Sequence, residues 1–141
     1  MMHPPTGVLS KQLLRHIFRN LSVDITLLDT QDRTIFFHTP KERVFPRDAA
    51  VIGRNVKNCH QPKIVAIVER VMDSFKYEQQ DSVEFRIHYK GKYLLIQYLT
   101  LYTTEGMYDG VLEVLQNITE LQKMPGDKRF LDWSWTECRL R

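Results

Sequence analysis

The side chains best suited to bind or react lie close together between Val51 and Lys63. This stretch contains a glycine, three basic residues and the adjacent pair Cys59 and His60. A helical pattern begins directly afterwards, so the pair is expected just before a helix N-terminus. The free N–H groups and the dipole of such a terminus favour an anion or a thiolate. The stretch is therefore a candidate for binding a small molecule, with Arg54, Cys59 and His60 as its main groups.

Metal binding and catalysis are the other chemistries that this stretch suggests. Histidine and cysteine thiolate both ligate haem iron, so haem held by His60 is one alternative. No second Cys and His cluster stands at metal-binding spacing, and no other metal site is predicted. Catalysis by Cys59 would need a base and an orienting group, but adjacent side chains before a helix usually diverge. With no glycine-rich phosphate loop or paired-carboxylate motif, the chain is predicted not to be an enzyme.

The composition fits one globular domain. The chain has 141 residues, of which 43% are hydrophobic, and a net charge of +3. Its basic excess lies between Thr39 and Lys63, where six basic residues stand against two acidic ones. A solvated loop explains this excess, and so does a basic pocket rim that includes Arg43 and prefers an acidic ligand. The excess is too small, and lacks the motifs, to predict nucleic-acid binding.

The targeting signals of the sequence are few. No signal peptide is recognised, and no apolar run approaches the ~20 residues that span a membrane. The two cysteines are far apart in the sequence. A cytoplasmic protein with free thiols and no membrane partner is predicted.

A first amphipathic helix is predicted after Ser10, which suits an N-cap. Its apolar side chains form one stripe over about three turns. Such a stripe must be buried on its own domain or on a partner, so a homodimer is expected. The candidate dimer-interface residues are Leu13, Leu14, Ile17, Phe18 and Leu21.

The remaining pattern predicts an α+β fold. Two short strands, 24–29 and 33–38, flank a polar turn, and a long helix runs from Pro62 to about Tyr77. Three further strands begin near Val83, Tyr93 and Met107, and in the last of them Tyr108 is placed on the face of Leu112 and Val114. A five-stranded antiparallel sheet with the central helices on one face accounts for this order. The middle strand of the last three is apolar on both faces, so the N-terminal helix is expected to cover the second face.

Three short motifs, in this order, resemble PAS sensor domains. Leu28–Arg33 resembles the opening hairpin of that family, and Val51–Val56 resembles its hydrophobic-Gly-Arg step before the long helix. Asn117–Glu120 resembles the Asp-Ile-Thr-Glu ending through which PAS domains pass a signal. The resemblance assigns residues 11–122 to a PAS-like domain. Residues 1–10 become a flexible leader, and residues 123–141 become a C-terminal extension.

A longer resemblance points to one bacterial branch of the family. The segments Phe36–Arg47 and Asn58–Lys63 look like this branch, whose members are often attached to hemerythrin-like domains. Gly126–Trp133 resembles the usual end of those proteins. Gln61 departs from the branch, which has a second proline there. The resemblance implies a sensory module with an unidentified signalling partner or effector domain.

Three functions are compatible with the resemblance. The first is a sensor that binds a small molecule between sheet and helices. The second is a dimerisation module without a ligand, whose core is filled by Phe36, Phe37, Phe85 and Tyr98. The third is a haem-based redox or gas sensor, whereas flavin photochemistry is not expected because Val56 stands where light-sensing relatives carry cysteine. The candidate ligand-binding residues are Phe37, Arg43, Arg54, Cys59, His60 and Tyr98.

Overall fold

The computed structural model describes residues 6–38, 44–45, 48–59 and 62–132. Two α-helices and five strands form in the predicted order. They are α1 (Lys11–Asn20), β1 (Asp24–Leu28), β2 (Thr34–Phe37), α2 (Pro62–Lys76), β3 (Ser82–Tyr89), β4 (Lys92–Tyr102) and β5 (Tyr108–Asn117). Short 3-10 helices lie at Ala49–Val51, Val56–Cys59, Leu121–Lys123 and Phe130–Asp132. Within these described parts, no helix is long and apolar enough to cross a membrane.

The five strands form one antiparallel sheet in the order β2-β1-β5-β4-β3. The last strand along the chain is therefore the central one, and it pairs with β1 on one side and β4 on the other. β2 and β3 lie at the two edges. This arrangement confirms the predicted five-stranded sheet.

One face of the sheet packs against α2. Phe75 and Met72 of the helix are almost fully buried, and they join a cluster with Leu28 of β1 and Val111 of β5. Tyr98 of β4 is partly buried against the same cluster. Burial of side chains of this size contributes about 1.5–3 kcal/mol each, so this cluster is the main source of cohesion for the domain.

Burial along α2 is uneven. All of its buried residues lie between Val68 and Phe75, in the second half of the helix. In the first half, Ile64 and Ile67 remain 42% and 47% exposed. The helix is thus anchored to the sheet through its C-terminal half.

The opposite face of the sheet carries α1. Ser10 caps this helix as predicted, because its hydroxyl accepts a hydrogen bond from the Leu13 N–H at 3.1 Å. The Phe18 ring lies 5.5 Å from the Phe36 ring of β2 and 5.9 Å from the His38 ring. These contacts place the N-terminal helix on the second face of the sheet, against β2, and its expected cover of β4 stays a prediction. Phe36, expected in a filled core, lies under α1 instead.

A bulge in β5 corrects one prediction about side-chain direction. Leu101 pairs with Gly110, whereas Tyr102 pairs with Tyr108, so Asp109 is an extra residue in β5. Gly110 has a φ of 121°, and a Cβ there would collide with the Leu28 carbonyl oxygen. The extra residue turns Tyr108 toward the α2 cluster. Its predicted place beside Leu112 and Val114 was therefore wrong.

Candidate functional site

Two of the candidate ligand-binding residues lie in one row across the sheet. Phe37 pairs with Thr26, Thr26 pairs with Glu113, and Glu113 pairs with Tyr98. Directly paired residues of antiparallel strands point to the same face. Tyr98 packs against the α2 cluster, so these four residues, hereafter the cross-strand row, all face the α2 side.

The middle of the cross-strand row is polar and buried. Thr26 is 2% exposed and Glu113 is 9% exposed. Asp24 points to the same face from β1 and is 6% exposed. The Thr100 hydroxyl oxygen, two residues beyond Tyr98, is buried without a hydrogen-bond partner among the described residues. Buried polar groups of this kind are usually matched by a partner, and each is costly when it is not.

Sequence reasoning did not identify Asp24, Thr26 and Glu113 as site residues, although the sequence carries a signal for them. Thr26 and Asp24 stand two and four residues before Leu28, and Glu113 stands between Val111 and Leu115. Residues two apart in a strand share a face. Polar side chains at the positions of a buried apolar face therefore mark an interior polar site.

A short segment covers the end of this face. The Val44 N–H donates a hydrogen bond to Asp24 Oδ2 at 3.0 Å, at the start of β1. The Phe45 ring lies 5.0 Å from the Tyr89 ring, at the end of β3. These two contacts carry the chain over the α2 side from β1 to β3. The α2 cluster packs beside Tyr98 of the cross-strand row, and this segment contacts the same face of the sheet.

Arg54 lies at the outer edge of β2. The Gly53 N–H donates to the Thr34 carbonyl at 2.7 Å, and the Thr34 N–H donates to the Arg54 carbonyl at 3.0 Å. Gly53 has a φ of 83°, which favours glycine at this position. The Arg54 side chain is exposed. Its backbone extends the sheet edge, and a role of its guanidinium in ligand binding stays a prediction.

The remaining candidate residues cannot be placed beside the row. Cys59 ends the 3-10 helix Val56–Cys59, and the structure describes its backbone only. Arg43 and His60 lie outside the described residues. In the described parts of the chain, no three or more His, Cys, Asp or Glu side chains are arranged to hold a metal ion. The haem alternative depends on His60 and stays a prediction.

The β1–β2 turn is a structural site. Burial raises the pKa of Asp29, but the N–H groups of Arg33 and Gln31 and the Arg33 guanidinium together hold it below its usual value. Asp32, with a φ of 62°, forms a salt bridge to Lys76 of α2. Burial, followed by the negative charges of Asp32 and Asp29, raises the pKa of Tyr108 to about 12. These groups fasten the turn to α2 and the core.

The end of β5 is fastened to β4. The Tyr93 N–H donates to Thr119 Oγ1 at 2.8 Å, and the Ile118 N–H donates to the Tyr93 carbonyl at 2.8 Å. Asn117 Oδ1 accepts hydrogen bonds from the N–H and the hydroxyl of Thr119. The motif that resembled the PAS ending therefore fixes the direction in which the chain leaves the sheet.

Comparison with known proteins agrees with this architecture. Residues 14–119 match the sequence profile of the PAS domain family. The C-terminal domain of a Streptococcus mutans protein is 28% identical, with a TM-score of 0.80, and the match covers 88% of this chain and 96% of that one. No curated protein sequence matches the chain.

Two more distant structures share the fold alone. The PAS domain of BvgS from Bordetella pertussis is 14% identical, with a TM-score of 0.59, over 79% of this chain and 90% of that one. A sensory box sensor histidine kinase from Vibrio cholerae is 14% identical, with a TM-score of 0.56, over 77% of this chain and 91% of that one. The predicted PAS fold is confirmed.

Proposed function

The chain belongs to the PAS domain family, and we propose that it is a sensory module that binds a polar small molecule between its sheet and α2. The observation that carries this proposal is the cross-strand row. It places the buried polar side chains of Thr26 and Glu113 between Phe37 and Tyr98, on the face that α2 covers.

The polarity of the row favours a ligand with hydrogen-bonding groups. Apolar side chains would fill this position at no desolvation cost, whereas a buried carboxyl or hydroxyl is stable only with hydrogen-bond partners. The Thr100 hydroxyl on the same face, which is buried without a hydrogen-bond partner among the described residues, supports an interior that can form further hydrogen bonds. Phe37 and Tyr98 add ring surface at both sides. A few polar groups among larger rings is the usual composition of a small-molecule site.

The predicted rim residues complete the proposed site. Arg43, Arg54, Cys59 and His60 belong to the segments that lead into α2, and they are proposed to line its entrance. Haem held by His60 is a narrower version of the same proposal. Attachment to a hemerythrin-like domain and a cytoplasmic location stay predictions from the resemblance.

The proposed signal travels along β5. Glu113 lies in the middle of this strand, and Asn117–Thr119 hold its end against Tyr93. A ligand that binds one conformation of β5 more tightly than another shifts the equilibrium between the two conformations. The residues after Glu120 would then leave the sheet in a new direction. Similarity to a sensor histidine kinase favours a signalling protein or effector domain as the recipient.

A dimerisation module without a ligand is the second candidate. It is favoured by the apolar stripe on α1, where Leu13, Ile17 and Leu21 are 50%, 46% and 42% exposed. Leu14 and Phe18 of the same stripe are partly buried. A second copy of α1 is the proposed cover for the exposed side chains. Phe85, expected in a filled core, is itself 37% exposed.

Native mass spectrometry of the protein as purified distinguishes these functions. A sensor that retains its ligand shows an added mass, which disappears after denaturation. Glu113→Gln is expected to lower ligand occupancy, whereas Gln97→Glu, on the opposite face of the neighbouring strand, is expected to retain it. An absorption spectrum with added haem, repeated with His60→Ala, tests the haem version. A folded protein that retains no mass and gains no stability from any compound of a metabolite panel would contradict the sensor proposal.

A further inference from the structure

β3 forms one outer edge of the sheet, on the side away from β2. Within the described parts of the chain, β3 pairs only with β4. It is eight residues long and mostly exposed. Long open edges are usually blocked, because unpaired N–H and C=O groups attract other strands. The charges and backbone directions of β3 instead favour one defined pairing.

The backbone of β3 determines which residues are available. The Asp81 carbonyl accepts a hydrogen bond from the Thr100 N–H of β4 at 2.9 Å. Backbone groups of alternate residues in an antiparallel strand point to opposite sides. Residues 83, 85 and 87 therefore bind β4, and the N–H and C=O groups of residues 82, 84, 86 and 88 point outward.

The charges of β3 select one register for a second copy. A two-fold axis at Phe85 places Glu84 opposite Arg86 of the second copy, and Arg86 opposite its Glu84. Both residues point their backbone groups outward, so each such pair forms two main-chain hydrogen bonds. An axis at Glu84 would oppose two carboxylates, and an axis at Arg86 would oppose two guanidinium groups. Like charges directly opposite each other destabilise a strand pair.

The apolar side chains of β3 fit the same register. Phe85 and Ile87 point to the α2 side and are 37% and 39% exposed. In the pairing about Phe85, the two Phe85 rings meet across the axis, and Ile87 lies opposite Val83 of the second copy. Aromatic and aliphatic cross-strand pairs stabilise a sheet.

We propose that two copies of this chain join through their β3 edges, antiparallel about Phe85, to form one continuous sheet. This surface is distinct from the stripe on α1, which lies against β2 at the other edge of the sheet. In the single chain, Arg86 Nε lies 3.8 Å from Glu84 Oε1. Pairing replaces this weak contact with two Glu84–Arg86 contacts between the chains. One strand buries little area, so the dimer is weak and depends on protein concentration.

The test uses charge reversal in an Ile17→Asp background, which removes the stripe on α1 as a second contact. Sedimentation equilibrium is measured over a rising concentration series. The parent is expected to dimerise, and Glu84→Arg and Arg86→Glu are each expected to raise the dimer dissociation constant about tenfold or more. An equal mixture of the two variants is expected to restore the dimer, because each chain then opposes only the opposite charge.

Glu120→Arg is the matched control, since it reverses a charge in an exposed ion pair away from β3 and should leave the dimer intact. Amide exchange at Glu84 and Arg86 should slow as the parent concentration rises. The proposal is overturned if the parent stays monomeric, if either single variant dimerises like the parent, or if the mixture stays monomeric. Ligand occupancy by native mass spectrometry is unaffected by these outcomes, so the sensor proposal is judged separately.

Discussion

Lys76 Nζ lies 2.7 Å from Asp32 Oδ2, and this contact joins the last turn of α2 to the β1–β2 turn across 44 residues of sequence. The Asp32 side chain is 9% exposed and that of Lys76 is 29% exposed. The pair is therefore screened from water far more than an ordinary surface pair. The pair connects the C-terminal end of α2 to the β1–β2 hairpin.

Lys76→Met is expected to lower the free energy of unfolding by about 3 kcal/mol, because it leaves the Asp32 carboxylate buried without its cation. Lys57→Met is the control. Lys57 pairs with Glu69 at 3.2 Å, but both side chains are nearly half exposed, so a loss of under about 1 kcal/mol is expected. Urea unfolding followed by circular dichroism measures both values. Equal losses in the two variants would refute a special role for the Lys76–Asp32 pair.

Gly110→Ala is expected to be severely destabilising, by about 3 kcal/mol or more, because its methyl group would collide with the Leu28 carbonyl oxygen. Gly53→Ala is the matched control. Gly53 also has a positive φ, but apart from its two chain neighbours no described residue has an atom within 4 Å of the added methyl group, so only the backbone strain of about 1 kcal/mol remains. Thermal unfolding of both variants gives the comparison. If the melting temperature of Gly110→Ala is no lower than that of Gly53→Ala, the close approach of β5 to β1 at Gly110 is contradicted.

Tyr108 is expected to make stability depend on alkaline pH. Because burial raises its pKa to about 12 in the folded protein, the folded state favours the neutral phenol. This contribution is complete below pH ~10, where an unfolded tyrosine titrates, and it is lost as the pH rises toward 12. Wild-type protein should lose more stability than Tyr108→Phe over this interval in chemical denaturation. Parallel losses would show that Tyr108 titrates normally.

Tyr108→Phe itself should be tolerated at neutral pH. The phenol oxygen is buried and has no hydrogen-bond partner among the described residues. Removing such a group loses no protein hydrogen bond and can stabilise the fold.

His38 links the start of β1 to the surface under α1. It is 5% exposed, and its Nδ1 accepts a hydrogen bond from the Ile25 N–H at 2.9 Å. His38→Phe removes the acceptor and should cost about 1–3 kcal/mol, whereas His38→Asn keeps an acceptor near this position and should cost less. Chemical denaturation measures both costs. Protection of the Ile25 N–H from hydrogen exchange should fall in the Phe variant and persist in the Asn variant.

Ile17→Asp tests the proposed dimer contact through α1. Ile17 is 46% exposed, so a charge there should leave the fold intact but prevent two apolar stripes from meeting. Light scattering is expected to show a dimer for wild type at low micromolar concentration and a monomer for the variant. Arg15→Asp introduces the same side chain on the charged part of α1 and should stay dimeric. At this low concentration, where the weak β3 pairing is not expected to form, a folded Ile17→Asp protein as dimeric as wild type would exclude this interface.

The sequence was enough to predict the elements of the fold and the start of α2 at Pro62. Period-two and period-3.6 patterns of apolar residues are local, so they predict strands and helices without knowledge of the tertiary contacts. The direction of Tyr108 was not predictable in this way, because the bulge at Gly110 depends on the close approach of β1. Likewise, Phe85 looks like a core residue in sequence, but it lies on the edge strand β3 and is 37% exposed.

The candidate site was harder to predict than the fold. Phe37 and Tyr98, two of the candidate ligand-binding residues, share one face of the sheet, yet they are joined only through Thr26 and Glu113, and that link depends on strand order. A sequence without known strand order does not show that β5 lies between β1 and β4. Arg54, Cys59 and His60 were chosen as candidates because of their side-chain chemistry. The buried polar side chains of the cross-strand row are instead those of Thr26 and Glu113 in the sheet.

The uneven burial of α2 predicts that its first half is displaced more easily than its second half. Its second half is held by Val68–Phe75 and by the Lys76 salt bridge, while the first two turns rest on half-exposed isoleucines. If the helix is displaced near Pro62, we expect it to rotate about a point close to Phe75 rather than to slide along the sheet. The 3-10 helix Val56–Cys59 precedes the first half of α2. Binding or modification at Cys59 is therefore expected to displace this first half more than the second half.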